Sequence, residues 1–169
     1  MEARATPEFI ISQMRVLTMP EMTFFHVTCP PTAFADLDRA LDELLSSLYE
    51  AKAQADLDGA GPDITRYYPV EAGARPGEPD LFRMEVGIPV KPETPPAGEA
   101  LVKTLPPYRC AGLLLWGSLT HTGQAYAALA QAILEAGLQP SGECREWNYW
   151  FESVDSSSNL LGVYRQVLP

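Results

Sequence analysis

The chain has 169 residues, 46% hydrophobic and 20% charged, which is enough apolar side chain for one domain with a sizeable core and too much for wholesale disorder. Its 22 acids against 12 bases give a net charge of −10, which excludes nucleic-acid binding by a general basic surface and is compatible with a cationic ligand. The start, MEARATPEFI, lacks the apolar core of a signal peptide, and no apolar run is long enough to span a bilayer, so no membrane partner is expected. Cys29, Cys110 and Cys144 are an odd number without CxxC spacing and read as free thiols in a reducing cytoplasm. With His26 and His121 as the two histidines, neither a metal nor another cofactor is expected.

Residues 1–13 read as a frayed or edge-pairing arm. Met22 to Cys29 is a strand, ended by Pro30 and Pro31. Thr32 is placed to N-cap a helix whose stripe is Leu37, Leu41, Leu44, Leu45 and Leu48. Asp36, Asp42, Glu43 and Glu50 face outward, and Asp58-Gly59 with Gly61-Pro62 stop the helix. Ile64 to Val70 is a strand, and Ala72 to Pro79 is a Gly/Pro-rich turn. Asp80 to Val90 alternates, with Phe82, Met84, Val86 and Ile88 one way and Arg83 and Glu85 the other. Lys91 to Gly98, with three prolines, is a stiff connector.

The order then repeats. Tyr108 to Trp116 is a strand; a helix runs to about Ala136 with Tyr126, Leu129, Ala130, Ile133 and Leu134 on one stripe, and Gly137 closes it. Residues 143–151 and Leu160 to Leu168 are the last strands. The reading is one α+β domain over 1–169, built from two strand–helix–strand–strand repeats, about 14–90 and 99–169, joined by the linker 91–98. Two helices would cover one face of a mostly antiparallel sheet. The ligand cleft is expected where the repeats meet on the uncovered face.

The segment ECREWNYWFE, from Glu143 to Glu152, carries the candidate site. Alternation puts Trp147, Tyr149 and Phe151 on one face, read as core beneath the helices, and Glu146, Asn148 and Trp150 on the other. A carboxylate in an aromatic cleft suits cation recognition or general-base work; the plainer alternative is an ion pair with Arg145 or Arg83. Trp116 falls on the face of Trp150, so the two indoles could sandwich a planar ligand. A bulge would exchange these faces. Tyr67 and Tyr68 point oppositely, so one of them should face the cleft. Glu85 is either a second cleft acid or a partner of Arg83 or Arg66. Phe24 and His26 share a face of the first strand, with Phe24 counted among the ligand contacts. Tyr126 is read as core of the second helix.

In this order the segments MEVGIPV (Met84–Val90), LPPYRCAGLLLWGS (Leu105–Ser118), HTGQAY (His121–Tyr126), GECREW (Gly142–Trp147) and SSSNLLGVYRQV (Ser156–Val167) resemble the GyrI-like, or gyrase-inhibitor-like, small-molecule-binding domain. The same module serves as the effector-binding half of some AraC- and MerR-type regulators. The resemblance spans roughly Met22 to Val167. It implies a doubled strand–helix–strand–strand fold with a ligand between the halves, and a cleft glutamate that matches Glu146 here. It also implies a cleft tyrosine, which Tyr67 matches better than Tyr68. The sequence departs from the family at Asn148, often tyrosine, and at Val163-Tyr164, often a Thr-Glu pair. No helix-turn-helix segment is expected beside the doubled unit.

Two functions follow from the resemblance. The first is capture of lipophilic, aromatic and cationic small molecules for sequestration or sensing. The second is hydrolysis of strained electrophiles such as cyclopropanes, with Glu146 activating water and Tyr67 orienting it. A third reading, an interaction protein for a macromolecule such as DNA gyrase, requires an exposed patch outside the cleft.

Overall fold

The computed structural model describes residues 8–57, 61–70 and 81–169. In chain order the first part contains β1 (Phe9–Ile11), β2 (Arg15–Met19), β3 (Met22–Thr28), β4 (Thr32–Ala33), α1 (Leu37–Gln54), β5 (Asp63–Pro69) and β6 (Leu81–Val90). The second part contains β7 (Leu101–Leu105), β8 (Tyr108–Gly117), α2 (Thr122–Glu135), β9 (Pro140–Trp150) and β10 (Leu160–Val167). The fold is α+β, with every strand pairing antiparallel. One sheet runs β1-β8-β10-β9-β5-β6-β3-β7, with β2 also on β8 and β4 on β6. The two halves of the chain meet at the β5–β9 pairing, where Thr65 lies opposite Glu146 and Tyr67 opposite Cys144.

Several local expectations change. Thr32 does not cap a helix: it pairs with Phe82 in β4, and its hydroxyl donates to the Pro30 carbonyl at 2.8 Å. A 3-10 turn, Phe34–Asp36, intervenes before α1. Before the second helix Ser118 caps the 3-10 turn Leu119–His121, its Oγ accepting from the Thr120 amide, while His121, at the start of α2, makes no side-chain cap bond. Gly137, at φ 64°, ends α2, and the Leu138 amide reaches the Ile133 carbonyl at 3.1 Å. Asp58, Gly59 and the turn Ala72 to Pro79 lie outside the described residues. Besides β4, two longer strands lie outside the sequence reading: β2 is short and half exposed, and β7 follows the proline connector with only a weak apolar pattern.

Those two strands shape the sheet. β2 and β3 sit towards opposite ends of the strand order, yet only Pro20 and Glu21 separate them; β7 and β8 are likewise separated only by Pro106 and Pro107. Three peptide steps span about 11 Å at most. The sheet must therefore curl until its ends meet, with Met19 opposite Tyr108 and Met22 opposite Leu105 on either side of the joint. The helices pack outside this curl. α1 seats Leu44, Leu48 and Ala51 on Phe25, Val27, Met84, Val86 and Ile88. α2 seats Ala125, Leu129 and Ile133 on Ala111, Leu113, Leu115, Leu161 and Val163.

The helix-free face is thus turned inward and filled. Phe24, Ile64 and Leu105 form one cluster there, and Met19, Tyr108, Cys110 and Tyr164 another, with Trp147 touching both. Between them runs a buried ion network. Glu85 pairs with Arg66, with Lys103 at 2.6 Å and with the Tyr68 hydroxyl at 2.9 Å. Arg66 and Arg145 each donate to Glu143 at 2.7 Å, and Arg145 lies 3.7 Å over the Tyr108 ring. Burial pushes the Glu85 carboxylate up, but Lys103, Arg66 and Tyr68 outweigh it and hold it below its usual value. Where the two halves meet at β5 and β9, this face is filled by core, because the curl removes it from solvent there. Trp147 and Tyr149 belong to this inward face, not beneath the helices, and Phe151 lies beyond the end of β9, exposed.

The Tyr164 ring lies across Gly112 and Gly162, and a Cβ on either would collide with it. Gly112→Ala should therefore cost about 1–3 kcal/mol through overpacking. Urea unfolding monitored by far-UV circular dichroism checks this; an unchanged midpoint would mean that the ring has room to move.

Candidate functional site

A pocket of about 580 Å³ opens on the helical side, between the first turns of α1 and α2. Three strands provide its floor: Tyr67 from β5, Phe82 from β6, and Cys144 and Glu146 from β9. Leu37 and Asp38 begin α1 and wall one side; Thr122, Gly123 and Tyr126 wall the other. Phe34, in the 3-10 turn before α1, stands 76% exposed at the rim and meets Phe82 edge-on at 6.4 Å between ring centroids.

Glu146 is the chemical centre. Alternation along β9 sends Cys144 and Glu146 to the helical side while Glu143, Arg145 and Trp147 turn inward. The Tyr126 hydroxyl donates to Glu146 Oε1 at 2.7 Å, and the Tyr67 hydroxyl also hydrogen-bonds this carboxylate. Burial raises the Glu146 carboxyl above its usual range, and the nearby Asp38 charge adds to this; the two phenols oppose it without cancelling it. Burial and the Glu146 charge together push both phenols well up, so they stay protonated donors. Among the described lining residues there are two acids and no Lys, Arg or His. Behind Tyr126 and Cys144 lies a smaller chamber of about 290 Å³, lined also by Leu129, Ile133 and Arg165. Arg165 Nη1 donates to Cys144 Sγ at 2.9 Å.

The candidate residues divide. Glu146 and Tyr67 share the pocket. Tyr68 and Glu85 are bonded to each other in the inward ion network, so Glu85 is not a second acid of this pocket. Phe24 is fully buried in the inward core, stacked on His26 at 5.3 Å. Asn148 shares the alternation of Glu146 but sits beyond the pocket, opposite Leu161 and Asp63. Trp150 is displaced by a bulge: Leu161 pairs with Asn148 but Leu160 pairs with Trp150, so Tyr149 is the additional residue and Trp150 leaves the face of Glu146. Trp116 is paired with the same Leu160, and both indoles are exposed, at 56% and 60%. They do not sandwich anything in this pocket.

Tyr126, Asp38, Phe34 and Phe82 join the site instead. Tyr126 sits within HTGQAY and also packs against the α2 core, so its stripe position concealed a hydroxyl aimed at Glu146. Asp38 follows Leu37 in the first turn of α1 and carries no signal that distinguishes it from the solvated acids. Among the described residues no cluster of three or more His, Cys, Asp or Glu could hold a metal, and no helix is long and apolar enough to cross a membrane.

No family model matches the chain, and no curated protein matches it. Solved structures do. SAV2435 bound to tetraphenylphosphonium superposes with a TM-score of 0.68 at 13% identity, over 93% of this chain and 94% of that one. The EcmrR C-terminal domain gives 0.64 at 13% identity, over 92% of this chain and 97% of that one. A hydrolase from Listeria innocua gives 0.57 at 12% identity, over 92% of each chain. At these identities the likeness is one of fold. The architecture is the one implied by the resemblance to GyrI-like small-molecule-binding domains.

Because the folded-state value of Glu146 is raised, its contribution to stability is full below the unfolded value of 4.5 and is lost as pH rises through the folded value. Glu146→Gln should therefore match the wild type in acid and become the more stable of the two towards neutral pH. Thermal unfolding of both proteins from about pH 4 to about pH 8 checks the sign.

Proposed function

We propose that this protein captures lipophilic, aromatic cations in the pocket between its helices, for sequestration or sensing. The observation that carries this is the lining: aromatic and apolar walls around a desolvated carboxylate, a second acid, and no base among the described residues. A cation entering the pocket restores to Glu146 the charge partner that burial removed, while Phe34, Phe82, Tyr67 and Tyr126 present ring faces and edges. Anions are rejected by Glu146 and Asp38, and the net charge of −10 favours the approach of cations. The ligand tetraphenylphosphonium of SAV2435, a protein of the same fold, belongs to this chemical class. Free thiols at Cys29, Cys110 and Cys144 accord with a cytoplasmic setting.

Hydrolysis on the same residues is the second reading. Glu146 and two phenols converge in one pocket, and a hydrolase is among the proteins that share the fold. In this reading the Glu146 carboxylate takes a proton from water, the hydroxide bonds to a strained ring carbon, and that carbon–carbon bond breaks. Tyr67 or Tyr126 delivers the balancing proton to the leaving carbon or to a carbonyl conjugated with it.

Calorimetric titration with tetraphenylphosphonium should give saturable binding that weakens by about tenfold or more in Glu146→Gln, and by less in Asp38→Asn. Since a cation favours ionised Glu146, affinity should fall as pH is lowered through its raised value, with protons released on binding at pH near that value. Equal affinity of wild type and Glu146→Gln would remove Glu146 from the site. Incubation with an electrophilic cyclopropane, followed by mass spectrometry, separates the two readings. A product gaining one water in the wild type but not in Glu146→Gln supports hydrolysis, and unchanged compound supports capture.

A further inference from the structure

The inward face of the sheet is filled by core over most of its length, but at the β8–β10–β9 end it opens into a separate cavity of about 610 Å³. Its chemistry is the reverse of the helical pocket. Tyr164 lies flat across Gly112 and Gly162, where no side chain could stand, and its ring edge lines the bottom of the cavity with 6% of the residue exposed. Tyr149, 40% exposed, supplies the open aromatic surface, and Leu114 and Leu160 supply apolar wall. Arg15, opposite Gly112 in the β2–β8 ladder, is the one charged residue lining the cavity among the described residues. Its guanidinium makes no hydrogen bond or ion pair with any of them, in a chain whose net charge is −10. The Tyr149 and Tyr164 hydroxyls are 2.8 Å apart. Within that pair one hydroxyl donates to the other, so one phenolic proton remains to donate outward. Trp116 and Trp150 flank Leu160 in the same cross-strand row, large and exposed.

We propose that this cavity is a second ligand site, on the opposite side of the sheet from Glu146, that takes a planar apolar anion of the aromatic carboxylate class. The ring packs on Tyr149 and the exposed edge of Tyr164, between the leucines. The carboxylate accepts from the Arg15 guanidinium and from the free phenolic proton of the tyrosine pair, a charge-assisted arrangement that a neutral or cationic ring cannot match. The site needs neither Glu146 nor a ligand in the helical pocket.

Two matched probes test this: 2-naphthoate, and its uncharged amide, 2-naphthamide. Calorimetry and tryptophan fluorescence should show saturable binding of the naphthoate about tenfold or more tighter than the amide. Arg15→Gln, an exposed substitution, should abolish that preference, and Arg15→Lys should restore part of it. Tyr164→Phe should weaken naphthoate more than naphthamide. Glu146→Gln should leave naphthoate binding unchanged, and tetraphenylphosphonium should not compete with it. Equal binding of the two probes, a preference that survives Arg15→Gln, or competition by tetraphenylphosphonium overturns the proposal; the last outcome would place the anion in the helical pocket.

Discussion

The joints at Pro20-Glu21 and Pro106-Pro107 bring together strands from the two ends of one sheet, and the rest of the molecule follows from that closure. A sheet whose ends meet has an inside. Over most of that inside, side chains lose water whatever their polarity, so Glu85 is paired with Arg66 and Lys103, and Glu143 with Arg66 and Arg145. Side chains that alternate outward are covered by α1 and α2. Neither helix reaches across the seam where β5 meets β9, so the ligand-sized gap opens between their first turns. Closure therefore places the pocket as well as the core.

The electrostatics divide along the same surface. On the inward side each buried carboxylate is answered by cations and is held below its ordinary value. On the helical side Glu146 is answered only by phenols, and burial wins. Two glutamates three positions apart on one strand, Glu143 and Glu146, are shifted in opposite directions because strand alternation sends them to opposite faces. The ion pairs on the inward side serve the fold, whereas Glu146 keeps a carboxyl without a cationic partner among the described residues of its pocket.

Much of this was legible along the chain. The stripe of Leu44 and Leu48, the alternation of Met84, Val86 and Ile88, and the cap at Gly137 are local patterns with local causes. Glu146 and Tyr67 could be singled out by alternation and by resemblance to a known module. Tyr126 was hidden because a tyrosine on a helical stripe reads the same whether its hydroxyl meets solvent or a carboxylate. Glu85 and Tyr68 misled because an outward-looking register cannot reveal that they bond to each other, and to Arg66 and Lys103, inside the sheet. Trp150 misled because one added residue, Tyr149, changes the face of everything beyond it.

By itself the sequence determined the two amphipathic helices, the main strands beside them and the separation of Glu146 from Trp147 onto opposite faces, because periodicity acts over a few residues. Which of those faces receives the helices, and which turns inward, was decided only in three dimensions. That choice rests on the pairing of β2 and β3 with β8 and β7, contacts between residues far apart in the chain, from His26 with Leu101 to Arg15 with Gly112, which no local propensity encodes. Along the segment from Glu143 to Trp147 alternation separates the side chains, and the closure of the sheet puts Glu146 under the helices and Arg145 and Trp147 inside.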